Sequence, residues 1–138
     1  MKELITEAKI EKLEEIRHFM DRYLEELDCP MKPQAQLDIA LEEVFVNIAH
    51  YAYGEDDIGG PCRIVFDYDE ETKVFSVEFT DSGMPFNPLA ADDPDTSLSA
   101  EERGIGGLGI FMVKKSMDDV KYEYRDGHNI LTLKKGLG

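Results

Sequence analysis

The chain has 138 residues, 42% of them apolar, and its 15 basic and 30 acidic residues give a formal charge of −15. That length allows one domain with a real core, taken as residues 1–138, and no second domain of ordinary size. The acidic balance excludes nucleic-acid and anionic-membrane surfaces, which need Lys/Arg clusters, and no stretch approaches the roughly 20 apolar residues of a membrane span.

Met1-Lys2-Glu3-Leu4 lacks the apolar run of a signal peptide, so a cytoplasmic protein is expected. Cys29 and Cys62 stand in no CxxC or Cys/His spacing. Both are expected to be small core residues in a reducing compartment.

Residues 2–8 read as a short first strand. From Ile10, the apolar positions Ile10, Leu13, Ile16, Phe19, Met20, Tyr23, Leu24 and Leu27 recur at threes and fours. That spacing predicts an amphipathic helix with an acidic outer face. It ends near Asp28-Cys29-Pro30, where Pro30 and Pro33 break the pattern. A second helix is expected from near Pro33 to about Tyr53, with a broad buried face from Leu37 to Ala52 and Gly54 as its C-cap. Residues 55–61 form a turn-rich loop.

Two strands follow, 62–68 and 74–80, joined by a hairpin loop at 69–73. Residues 84–103 lack periodicity and hold Pro85, Pro88 and Pro94. A loop this long in so small a domain is a functional lid or disordered. A third helix begins in the glycine run 104–109 and continues through Ile110, Phe111, Val113 and Met117. The last strands, 119–124 and 129–134, are joined through the turn signal Asp126-Gly127. The order β, α, α, β, β, loop, α, β, β implies an α+β fold, a two-layer sandwich with helices on one sheet face.

Glu43 and Asn47 lie four apart, so a helix sets them on one face a turn apart. An amide oxygen is a neutral, hard ligand for Mg²⁺, and a carboxylate one turn away can accept a proton. The plainer reading is an exposed polar stripe, but Val44, Phe45, Val46 and Ile48 leave little room for one. Glu42 points about 100° away and suits a solvated face. Asp81 ends an apolar strand, either as a turn former or as a buried acceptor. The glycine run leads into a helix whose first N–H groups and positive dipole end suit phosphate; a hinge with close helix packing is the alternative. Arg103 can fork onto a phosphate or be a solvated loop charge. A chain this acidic must hold any polyphosphate through main-chain N–H groups, a helix start and a divalent metal.

Taken together, Glu43…Asn47, Asp81-x-Gly83 and Gly106-Gly107-Leu108-Gly109 resemble the N, G1 and G2 boxes of the Bergerat-fold (histidine kinase-like) ATPases. The runs Asn47–Tyr53 and Asp81–Pro88 are similar to the small single-domain branch, the anti-sigma factor serine kinases. The resemblance covers roughly residues 33–134. It implies a mixed, largely antiparallel sheet and ATP with Mg²⁺ as ligands. It implies Glu43 as general base, Asn47 as metal ligand, and Asp81 as acceptor of the adenine amino group, with Gly83 close to the base. Gly104, Gly106, Gly107, Leu108 and Gly109 would hold phosphates, Arg103 would reach the γ-phosphate, and 84–105 would be the nucleotide lid. Relatives often use a Thr near the adenine on the last strand, which points to Thr132 and, beside it, Asn129. Pro85 stands where many relatives have a second Gly. His50 lies one position before the usual place of a relative's His and is given no role. The resemblance also implies a protein serine/threonine kinase that phosphorylates an anti-anti-sigma (STAS-type) partner and binds a sigma factor, acting as a homodimer. A non-catalytic ATP-binding module is the alternative.

Overall fold

The computed structural model describes residues 1–52, 60–90 and 107–138. Strands β1 (Lys2–Glu7), β2 (Pro61–Asp69), β3 (Val74–Asp81), β4 (Asp119–Arg125) and β5 (His128–Gly136) form one sheet in the order β1-β2-β3-β5-β4. Among the described residues every pairing is antiparallel, so the mixed sheet expected from the resemblance is a purely antiparallel one. Helices α1 (Leu13–Glu26), α2 (Met31–Tyr51) and α3 (Gly107–Ser116) form the second layer, with α2 packed against both others. No helix among the described residues is long and apolar enough to cross a membrane.

The two-residue period of the strands sorts the sheet into two faces. Cys62, Ile64 and Phe66 of β2, Phe75, Val77 and Phe79 of β3, and Leu131 and Leu133 of β5 are buried. They share one core with Ile16, Met20 and Leu24 of α1 and Leu37, Leu41 and Phe45 of α2. Each fully buried ring or branched side chain contributes roughly 1.5–3 kcal/mol. The intervening residues, among them Glu78, Lys121, Thr132 and Lys134, lie together on the outer face. The register pairs Cys62 with Asp81 and Asp81 with Asn129. The same alternation that buries Phe79 and Leu131 therefore carries Asp81 and Asn129 into the core layer, as the buried polar residues of that face. Burial and the Asp81 charge push the Cys62 thiol up to about 12, which keeps it inert. Cys29 is only half-buried, because it lies just past the end of α1.

The helix boundaries follow local chemistry. A single 3₁₀ turn, Ile10–Lys12, precedes α1, and Ile10 is left exposed although it fits the apolar stripe. α1 ends with Asp28 at φ 53, while Cys29 N–H donates to Leu24 O (3.0 Å) and Asp28 N–H to Glu25 O (3.1 Å). This is a Schellman closure, with Asp where Gly is commoner. α2 starts at Met31, two positions before the expected start. Pro33 sits inside its first turn, where a missing N–H costs nothing because those donors have no helical acceptor.

Between α1 and α2, Asp21 and Asp38 lie side by side, and one Asp38 oxygen is buried without a hydrogen-bond partner. Burial first, then the hydrogen bond and charge of Asp21, push the Asp38 carboxyl up to about 7, with Arg17 opposing. An acid whose pKa is raised in the folded state holds its proton more tightly there than in the unfolded chain. Its penalty therefore grows as pH rises from about 4 through about 7. Asp38→Asn should stabilise the fold at pH 8 by on the order of 1–2 kcal/mol, a value scaled down for the water that reaches the pair. The gain should vanish near pH 4. Urea titrations at the two pH values check this, and a variant no more stable than the parent at pH 8 would refute it.

Candidate functional site

α2 carries the first pair of polar residues. Asn47 Nδ2 donates to the backbone O of Glu43, one turn back, at 2.7 Å. That bond holds the amide through its nitrogen and leaves the oxygen, the atom a hard metal needs, as the other arm of the group. The donor set thus fits a Mg²⁺ ligand that leaves other positions to water and phosphate. Glu43 is half-buried, whereas Glu42 and His50 are exposed. The Glu43 carboxylate presses on the first turn of α3, where a Cβ added to Gly109 would lie 2.0 Å from Glu43 Oε2. Any side chain at 109 would occupy the place the carboxylate holds. The candidate base and the helix start that suits phosphate are therefore in direct contact.

β3 ends in the second group. Asp81 is 4% exposed. Its Oδ1 accepts from Gly83 N–H (2.9 Å) and from Asn129 Nδ2 (2.9 Å). Burial raises its pKa, while Asn129, the Gly83 N–H and His128 work against the rise. Gly83 is required by packing: a Cβ there would lie 2.0 Å from the carbonyl oxygen of Ala52. The same oxygen accepts from Met84 N–H at 2.9 Å, which fastens the exit of β3 to the end of α2. Ser82 Oγ lies 3.1 Å from His128 Nδ1 at the rim.

Of these groups Asn47, Ala52, Asp81 and Asn129 line a cleft. Asn47, Asp81 and Asn129 supply its polar edge, and Val44, Phe79 and Leu131 belong to its apolar wall. Phe86, which also lines the cleft, stacks on Tyr51 with centroids 5.1 Å apart and planes at 27°. A largely apolar slot with a few convergent polar groups is the usual form of a small-molecule site. Among the described residues no cluster of His, Cys, Asp or Glu is arranged to hold a metal by itself. An amide that shares the ion with phosphate needs no such cluster.

The sequence-derived candidates divide as follows. Asn47 and Asp81 line the cleft, Gly83 follows Asp81 and donates to it, and Glu43 meets Gly109 at the start of α3. Gly107 and Leu108 open that helix. Arg103, Gly104 and Gly106, with most of the expected lid and the expected cap Gly54, lie outside the described residues. Thr132 is corrected: strand alternation sends its side chain to the outer sheet face, beside Glu78 and Lys121, away from the cleft. Asn129, three residues earlier and of opposite parity, takes the inward place against Asp81. Tyr51, Phe86 and Tyr122 were not singled out by sequence reasoning. Only the alternation Asn129, Leu131, Leu133 carried a signal, for it marks Asn129 as inward.

Residues 6–135 match the family described as histidine kinase-like ATPase domain. The chain is 28% identical over 97 residues to the serine/threonine-protein kinase BtrW of Bordetella bronchiseptica, covering 70% of this chain and 66% of that protein. It is 31% identical over 103 residues to the serine-protein kinase RsbW of Listeria monocytogenes, covering 71% of this chain and 63% of the relative. The chain thus spans just under two thirds of the length of these relatives. The fold matches the RsbU and RsbW domains of Rv1364c from Mycobacterium tuberculosis with a TM-score of 0.69 at 15% identity, over 99% of this chain and 33% of that one. It matches a chain of the SiaB-SiaC complex from Pseudomonas aeruginosa with a TM-score of 0.59 at 19% identity, over 96% and 88%. At such identities these two structures speak for the fold alone.

The Glu43–Gly109 contact gives a direct test. Gly109→Ala should lose most of the roughly 0.5–1 kcal/mol that Ala gains over Gly in a helix, because the methyl must push the Glu43 carboxylate aside. In a Glu43→Ala background most of that loss should disappear, as measured by a double-mutant cycle of chemical denaturation. Strictly additive costs would show that the two residues do not meet.

Proposed function

Because this chain belongs to the histidine kinase-like ATPase family, we propose that it is an ATP-dependent protein serine/threonine kinase of the anti-sigma factor type. The observation that carries the reading is the contact between Glu43 and the first turn of α3, one helical turn from an Asn47 whose amide is held through its nitrogen. A base with no phosphate site beside it would have no role in phosphoryl transfer. A phosphate site with no base would bind and do no more.

In this reading Asp81 accepts the amino group of adenine at the floor of the cleft, and the apolar wall takes the base. The N–H groups that open α3, including those of Gly107, Leu108 and Gly109, face the phosphates. Gly104, Gly106 and Arg103 extend that cradle in the stretch before the helix. Asn47 holds Mg²⁺, which neutralises phosphate charge and so offsets the acidity of the chain. Glu43 takes the proton of an incoming serine or threonine hydroxyl. The hydroxyl oxygen bonds to the γ-phosphorus, the bond to the β–γ bridging oxygen breaks, and ADP leaves.

The protein substrate is read from the relatives, which are named as serine or serine/threonine kinases. A STAS-type anti-anti-sigma protein is the proposed acceptor and a sigma factor the proposed second partner, with the kinase acting as a homodimer in the cytoplasm. A nucleotide-dependent binding module without transfer is the second reading; it shares the cleft but gives Glu43 no task.

Glu43→Gln separates the two readings. It should leave Mg-ATP binding unchanged in a thermal-shift titration and lower phosphotransfer to a STAS-type partner by about 10²–10⁴-fold. Asp81→Asn should remove the ATP-induced shift itself. Transfer by Glu43→Gln at the parent rate would defeat the kinase assignment. A parent protein that shifts with Mg-ATP but labels no partner would favour the binding module.

A further inference from the structure

Asn129 is 5% exposed, and its amide is spent entirely on the protein. Nδ2 donates to Asp81 Oδ1 and to Met84 O, both at 2.9 Å. Oδ1 accepts from Phe86 N–H at 3.1 Å and from the Tyr122 hydroxyl. A primary amide offers two donors and two lone pairs, so nothing is left for a ligand. These partners come from β3, from the segment that follows it and from β4. Through Phe86 the same amide sets a ring that lines the cleft and stacks on Tyr51.

We infer that Asn129 is a positioning residue that couples recognition of the purine to placement of residues 84–86. Its Nδ2 caps Asp81 Oδ1, keeps that carboxyl an acceptor and leaves Oδ2 to the amino group of adenine. Its Oδ1, steadied by Tyr122, holds Phe86 over the same base. Guanine, with a carbonyl where adenine has its amino group, meets an acceptor and is rejected. This inference rests on the reading of Asp81 given above. It adds that the selectivity of Asp81 depends on a side chain that never touches nucleotide.

Asn129→Asp tests it, because the shape is kept and the donor becomes titratable. Two carboxylates at this distance share one proton. While that proton is present it stands in for the Nδ2–H that meets Asp81, the bond to Met84 O being lost at either pH; once the proton is lost the two groups repel. By fluorescence titration, the variant should bind Mg-ATP about three- to tenfold more weakly than the parent near pH 5.5, from the lost Met84 bond, and at least tenfold more weakly again near pH 8.5. Its preference for ATP over GTP should shrink over the same span. The parent, titrated alongside, reports the contributions of Cys62, Tyr122 and His128, which face Asp81 from β2, β4 and β5. Tyr122→Phe is the second variant and deletes one hydroxyl. It should weaken ATP and ADP equally, by about three- to tenfold, since the residue acts on the base and not on the phosphates. Circular dichroism at each pH confirms that both variants are folded; should Asn129→Asp fail to fold, Tyr122→Phe decides alone. An Asn129→Asp variant weakened equally at both pH values, or not weakened at all, overturns the inference, as does a Tyr122→Phe variant that affects ATP but not ADP. A parent that binds no adenine nucleotide overturns the reading of Asp81 first, and this inference with it.

Discussion

A carboxylate buried in the core layer is costly unless donors meet it, and that requirement organises this end of the molecule. Asp81 reaches the interior because β3 alternates without interruption from Phe75 to Phe79 and its last inward position holds an acid. Its donors come from two places: the chain turning back at Gly83, and the neighbouring strand at Asn129. Gly83 can supply its N–H only because it has no side chain to strike Ala52. Asn129 can supply its amide only because β5 is paired in a register that sets it opposite Asp81. The sheet register, the end of α2 and the path of the chain after β3 are thus tied together by the satisfaction of one polar group. The cleft is the space that remains beside it.

Glu43 and Asn47 sit in the C-terminal half of α2, where Glu43 meets the start of α3. Glu43 and Asn47 are rigid with respect to each other, being one turn apart on a long helix anchored by Leu41, Val44, Phe45 and Ile48. The start of α3 is brought to them as a separate element. The bare backbone at Gly109 allows the approach to be close enough for one group to sense the position of the other. Helix packing would therefore position the proposed base and phosphate cradle.

Much of this was legible in the sequence. Periodicity located the helices and strands, because amphipathic spacing and hairpin signals are local. The motif spacing marked Glu43, Asn47, Asp81, Gly83 and the glycine run. The errors have equally local causes. The start of α2 was placed too late because proline was read as a breaker, although the first helical turn tolerates it. The resemblance points to Thr132 and Asn129 alike, whereas counting by twos back from Leu133 and Leu131 shows that Asn129 is the one that faces inward. Long-range facts had no sequence signal at all. The contact of Gly83 with Ala52, the stacking of Tyr51 on Phe86 and the pairing of Asp21 with Asp38 all join segments distant in the chain.

One capping arrangement has an evolutionary corollary. The carbonyl of Ala52, at the end of α2, accepts from the main-chain N–H of Met84, a residue distant in sequence. The helix terminus is consequently guaranteed from across the molecule. Among descendants of this gene, changes at Gly83 or Met84 would be felt at the end of α2 as well, so these two segments are bound to drift together.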